Sequence, residues 1–260
     1  MASLPHDYVS GLAQDYDDKR RMAPEDFDRL IDLILQYGEP RLSVLEIGCG
    51  TGTHLVGLAE CLPGVRFCGL DIASEMVRQA APKLRSVAKG NCRLVQADGQ
   101  SLPFKPESFD FVYFSQALHY FEDKEAVVAE VRRVCLPEGR VLVSTTSHPQ
   151  LRCQIDLAFF PGIAKADTAR IPPLPQVRRL FEDMSFELFS TVEFAATFKA
   201  ANADALVGHV TRKPWSSYLP LGDEEFRRKL EVFRRRLRNA FGEGEIAYLV
   251  PQTLMFFRKA

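Results

Sequence analysis

Glu46 stands two residues before Gly48, and Gly50 and Gly52 follow at alternate positions. Glycines so spaced let the backbone turn sharply and leave no side chain between the chain and a ligand. A pyrophosphate-binding turn of the dinucleotide type would want glycine at position 53, where Thr53 stands, and Glu46 would repel the phosphates. The same acid favours a ligand that carries positive charge. Asp71 comes 19 residues after Gly52, about the spacing at which a strand-end carboxylate receives ribose hydroxyls in nucleotide-binding α/β folds. Asp98 closes the next apolar stretch. His119 and His148 supply imidazoles, which can accept and return protons near neutral pH.

These residues can act together only if the chain brings them to one edge. Residues 43–47 read as a short buried strand and residues 54–60 as a helix, so the glycine turn is expected to present free backbone N–H groups at a helix start. Further strands are predicted over residues 65–70, 93–96, 109–114 and 141–145. The fourth is apolar almost throughout, as a strand covered on both faces would be, and it delivers Ser115, Gln116 and His119 to its C-terminal end. Residues 123–135 have the pattern of an amphipathic helix, and residues 136–140 that of a turn. Upstream, Phe27, Leu30, Ile31, Ile34 and Leu35 form a helical stripe, with Pro24 suited to its first turn. Residues 148–175 carry five prolines and a glycine and are too irregular for one helix. A helix is predicted over residues 176–183 and strands over 186–194 and 247–258, and about 50 residues separate those strands, far more than an ordinary connection.

Composition bounds the function classes. The 260 residues fit one elaborated α/β domain, with 46% apolar residues to fill its core. Lys and Arg number 33 and Asp and Glu 34, a net charge of −1, which argues against nucleic-acid binding driven by overall charge. No apolar run approaches the roughly 18 residues of a membrane span, and the N-terminus lacks the basic and apolar regions of a signal peptide. Cys49, Cys61, Cys68, Cys92, Cys135 and Cys153 form no Cys-x-x-Cys pair, so they read as small buried hydrophobes in a reducing cytoplasm, with no metal site.

The stretch Glu46-Ile47-Gly48-Cys49-Gly50-Thr51-Gly52-Thr53 resembles motif I of the class I S-adenosylmethionine (SAM) methyltransferases. Gly69 to Met76, with Asp71, Ile72 and Met76, resembles their motif II, and Ala97-Asp98-Gly99 their adenine-binding acid and its neighbours. Arg133-Val134-Cys135-Leu136-Pro137-Glu138-Gly139 is similar to the family's RVLKPGG signature, with Glu138 where glycine is usual. Tyr16 and Arg20 resemble an N-terminal lid, the tyrosine covering SAM and the arginine meeting its carboxylate. The resemblance covers residues 43–147.

It implies a doubly wound, Rossmann-like sheet of seven strands, the last antiparallel, in a single domain. Residues 1–40 would form the lid and residues 198–241 a helical insertion between strands six and seven, over the substrate. It further implies SAM as cofactor, S-adenosylhomocysteine as product, and in-line methyl transfer to an oxygen, nitrogen or carbon of a small molecule. His119 and His148 are the candidate bases, while other members of the family use no base and act by positioning alone. Trp215, Tyr218 and Phe198 would suit an aromatic substrate. The arginine-rich residues 223–241 read as a solvated face or as a surface for an acidic ligand. An RNA or protein methyltransferase, or a SAM-binding regulator without turnover, is the alternative; residues 113–117 lack the Asn/Asp-Pro-Pro-aromatic and Pro-Cys signatures of base methylation.

Overall fold

A computed structural model describes residue 17 and residues 22–87, 90–212 and 222–260. Tyr16, Arg20, Trp215 and Tyr218 lie outside the described residues. The chain builds a seven-stranded sheet: β1 (Ser43–Ile47), β2 (Arg66–Asp71), β3 (Cys92–Gln96), β4 (Phe109–Ser115), β5 (Cys135–Thr145), β6 (Phe186–Ala200) and β7 (Ile246–Lys259). Their order is β3-β2-β1-β4-β5-β7-β6. The first five pair in parallel and β7 runs antiparallel to both neighbours, as the resemblance implies. The chain steps outward from β1 to β2 and β3, then returns to the other side of β1 at β4. Such a reversal opens a crevice beyond the carboxyl ends of the two central strands, where ligands of open α/β sheets bind.

Side chains alternate across β1, because a strand has a period of two. Leu45 and Ile47 enter a core shared with Val127, Val128 and Val131 of α4 (Lys124–Val134). Val44 faces the other way, into a core with Leu30, Ile31 and Ile34 of α1 (Pro24–Gly38) and Leu55 and Leu58 of α2 (Thr53–Cys61). Glu46 therefore falls on the α1–α2 face, opposite Tyr113 on β4, in a strand buried along its whole length. The remaining helix of this half, α3 (Ser74–Val87), packs beside α2.

After β5 the proline-rich stretch resolves into α5 (His148–Arg152), a 3-10 turn, and α6 (Pro161–Arg170), followed by α7 (Leu174–Glu182). Ser147 caps α5 in a reciprocal box with Gln150. Strand β6 runs to Ala200, so Phe198 belongs to the sheet and the insertion begins only after it. Helices α8 (Ala203–Thr211) and α9 (Asp223–Phe241) pack Val207, Phe226, Phe233 and Leu237 against Leu151, Phe160 and Ile163, a third core. The arginine-rich helix thus buttresses α5 and α6 from behind.

Strand β5 begins at Cys135, the end of the expected helix, and takes in the whole of the expected turn, where Glu138 has φ +59°. A Cβ is unfavourable in that region, which explains why glycine is usual at the position. Glu138→Gly is expected to stabilise the fold by about 1 kcal/mol, read as a raised urea midpoint with an unchanged slope. All six cysteines are unpaired. Cys49, Cys68 and Cys135 are buried and Cys92 is partly so, whereas Cys61 and Cys153 are exposed, against expectation.

Candidate active site

The turn after β1 is built from left-handed glycines: φ is +73° at Gly48, +52° at Gly50 and +76° at Gly52. A Cβ at Gly48 would lie 2.6 Å from that of Ala117. The N–H groups of Gly48 and Cys49 both donate to the Leu70 carbonyl, at 2.7 and 3.0 Å. Gly50 donates to Asp71 at 2.8 Å, and Gly52 to the Cys49 carbonyl. Three of these N–H groups bind the turn to β2 and the fourth closes the turn on itself, a correction to the expectation that they would face a ligand freely.

Glu46 lies beneath this turn, 1% exposed. One carboxyl oxygen is 3.8 Å from His54 Nδ1 and near the Leu55 N–H. The Tyr113 hydroxyl lies beside the carboxyl and interacts with it, favouring its charged form, although neither that hydroxyl nor Oε2 has a hydrogen bond of ordinary geometry. Burial, reinforced by the Asp71 charge, lifts the Glu46 pKa to about 8, and burial depresses that of His54 to about 4. The pair therefore shares one proton at neutral pH, held on the acid. Burial also pushes the Cys49 thiol well up, which leaves it protonated and unreactive.

A cavity of about 630 Å³ opens above β1 and β4, within the range of small-molecule sites. Of the expected residues, Glu46, Gly48, Cys49, Gly50 and Thr53 line one part and Ser115, Gln116 and His119 another. Gln116 adopts φ +53°, a strained conformation for a side chain of its size. Its amide reaches Ser144 and Gln252, each at 3.3 Å, and accepts from Thr146 at 3.2 Å, so a neutral polar wall covers the end of β4.

The others lie off the cavity. Asp71 Oδ1 accepts from Ala73 at 2.9 Å while Oδ2 accepts from Gly50, and burial raises its pKa. A carboxylate has about four lone-pair sites, so ribose hydroxyls still have places on it. Ile72, beyond it, is 52% exposed and Met76 is buried. Asp98 accepts from Gln100, and Gly99 is pressed against Phe121, 2.6 Å from where a Cβ would stand; Ala97 packs against the core at the same strand end. His148 is placed elsewhere: its Nε2 donates to the Ile171 carbonyl at 2.8 Å, tying α5 to the residue after α6.

Several cavity residues were not legible beforehand. Asp17 takes a 2.6 Å ion pair from Lys83 of α3 and hydrogen bonds from Thr51 and Thr53. Burial opposes its ionisation, but these partners outweigh it and lower the pKa. His54, Asp167, Arg170 and Gln252 also line the cavity. No helix among the described residues is long and apolar enough to cross a membrane, and none of their His, Cys, Asp or Glu side chains cluster as a metal site. The described parts of α8 and α9 contribute nothing to the lining.

Glycine turn, buried acid and strand order are those of the class I SAM-dependent methyltransferases, and residues 44–139 carry that methyltransferase domain. Residues 44–139 match the family described as a methyltransferase domain. A demethylmenaquinone methyltransferase of Lactococcus lactis subsp. lactis (strain IL1403) is 39% identical over 111 residues, 42% of this chain and 44% of that one. The nocamycin O-methyltransferase of Saccharothrix syringae is 29% identical over 213 residues, 69% of this chain and 71% of that one. A SAM-dependent methyltransferase structure from Aquifex aeolicus superposes with a TM-score of 0.55 at 16% identity, covering 74% of this chain and 93% of that one. The chain spans about half the length, or less, of several curated relatives that it matches.

Proposed function

We propose that the protein transfers the methyl group of SAM to a small-molecule acceptor, leaving S-adenosylhomocysteine. The observation that carries this reading is Glu46, a carboxyl buried beneath a glycine turn at the sheet's switch point. It fits a ligand with an ammonium group, which would complete its hydrogen bonding and draw off its proton. Asp71 would hold the ribose and Asp98, with Ala97 and Gly99, the adenine edge. Ile72 and Met76 would form the apolar side of that subsite. Asp17, tied to Thr51, lines the cavity, and by the resemblance Tyr16 and Arg20 would close over the cofactor. When bound, SAM supplies an activated methyl group on a sulfonium that leaves as a neutral thioether.

What remains for the chain is alignment, exclusion of water and disposal of a proton, and alignment alone is worth about 7–11 kcal/mol. Gln116 and Ser115 stand at the end of β4, where the acceptor would be oriented. His119, buried and lining the cavity, is the base we assign for a protonated acceptor; His148, held by Ile171, is given a positioning role. Two relatives named for O-methylation, of nocamycin and of malonyl-acyl carrier protein, support oxygen as the accepting atom. Six unpaired thiols fit a cytoplasmic enzyme. The test is calorimetric titration with SAM and S-adenosylhomocysteine, followed by transfer of labelled methyl to a metabolite extract treated with ribonuclease or protease. Binding and label in the small-molecule fraction are expected; label that disappears with either treatment would move the substrate to RNA or protein.

A further inference from the structure

Among the described residues lining the cavity, the lysine and arginine are Lys83 and Arg170. Lys83 is paired with Asp17 on the glycine-turn side. Arg170 is on the opposite wall, with His119 and Tyr120. It is the last residue of α6, and two contacts fix its plane: Asp167 Oδ1 accepts from it at 2.6 Å, and its guanidinium carbon lies 4.6 Å from the centre of the Tyr120 ring. The carboxylate is the deeper member, its side chain 9% exposed against 18% for the arginine. Both residues line the cavity, and the arginine is the more accessible of the two.

Stability alone does not account for this arrangement. Desolvating an ion pair recovers little net energy, and apolar side chains of similar volume commonly serve as well. Apolar Leu151 and Ile171 and neutral polar Gln154 line the cavity with this pair, so it is the charged feature of that end. A guanidinium carries five N–H donors in a rigid fork that matches a carboxylate, and one held by an acid and an aromatic face is already oriented for it. The reach of α9 is indirect: Phe226 and Phe233 pack on Phe160, which precedes α6, and so fix the helix that carries Arg170.

We propose that Arg170, oriented by Asp167 and Tyr120, binds a carboxylate on the methyl acceptor, whose substrate class is then an organic acid with an apolar body. This rests on the methyltransferase reading above, because it places the acceptor at the end of the cavity remote from Glu46. Arg170 selects the acceptor in this scheme, and the cofactor subsite does not depend on it.

The experiment uses the full chain saturated with S-adenosylhomocysteine, titrated with benzoate, salicylate, cinnamate and octanoate, each against its primary amide. At least one acid is expected to bind tenfold or more tightly than its amide, and Arg170→Met to remove that preference with S-adenosylhomocysteine affinity unchanged. Arg170→Lys, which keeps the charge but loses the fork, is expected to retain part of it, and remains informative if the methionine variant does not fold. Equal binding of acids and amides, no binding of any acid, or a preference that survives in Arg170→Met would overturn the proposal. Failure of the wild-type chain to bind S-adenosylhomocysteine is a different result, and would overturn the methyltransferase reading beneath it.

Discussion

Glu46→Gln is expected to weaken S-adenosylhomocysteine binding by about ten- to hundredfold, since a hydrogen bond to a charged group is worth about 1.5–3 kcal/mol. The same variant should flatten a pH dependence of the ligand-free protein. Unfolding returns Glu46 from about 8 to 4.5 and His54 from about 4 to 6.5. Between about 4.5 and 6.5 the native pair holds one proton, on Glu46, and the unfolded chain holds one, on histidine, so the two contributions cancel. From 6.5 to about 8 only the native pair keeps its proton. Stability must then fall as pH rises, by at most about 1.4 kcal/mol per unit, and level off above that window. Urea midpoints at both ends of the window should differ in the wild type and coincide in Glu46→Gln. A cationic ligand reverses the balance by favouring the carboxylate, so binding should release a proton and tighten as pH rises through the window. Calorimetry in two buffers of different ionisation heat measures that release; none would mean the ligand's charge does not meet Glu46.

Gly48→Ala is expected to be the most damaging of the single-methyl changes in the turn. The added carbon would meet Ala117 at 2.6 Å, and the residue's φ of +73° is one that alanine adopts only under strain. Overpacking costs about 1–3 kcal/mol and the left-handed backbone about 1 more. The variant should therefore lose roughly 2–4 kcal/mol of stability and, where it folds, bind S-adenosylhomocysteine far more weakly. A double variant, Gly48→Ala with Ala117→Gly, removes the clash and leaves the backbone strain. Partial recovery of the urea midpoint would apportion the two effects, and full recovery would show the contact alone to be responsible.

The parallel half of the fold was legible because its strands are short apolar runs cut off by glycine or acid, a pattern that depends on neighbours in sequence. Strand β6 was read six residues short, since Ala195 to Ala200 lack an apolar alternation of their own and are held by pairing with β7. Residues 148–175 were legible only as irregular. The helices there stand on contacts with α8 and α9, remote in sequence, and on the Ser147–Gln150 cap. The exposed Cys61 and Cys153 show the same limit: burial of a thiol follows from what packs over it.

By itself the sequence determined which groups the strand ends carry. Acids at 46, 71 and 98 and glycines at 48, 50 and 52 fix which charges and which backbone freedom each strand end can offer, and residue type and spacing suffice for that. Tertiary structure decided how those groups stand. The Glu46 proton depends on exclusion of water by α1 and α2, the N–H groups of Gly48, Cys49 and Gly50 are spent on Leu70 and Asp71 in the next strand, and Arg170 meets a tyrosine 50 positions earlier. Dielectric surroundings and long-range contacts are properties of the packed chain, and no local pattern of residues encodes them.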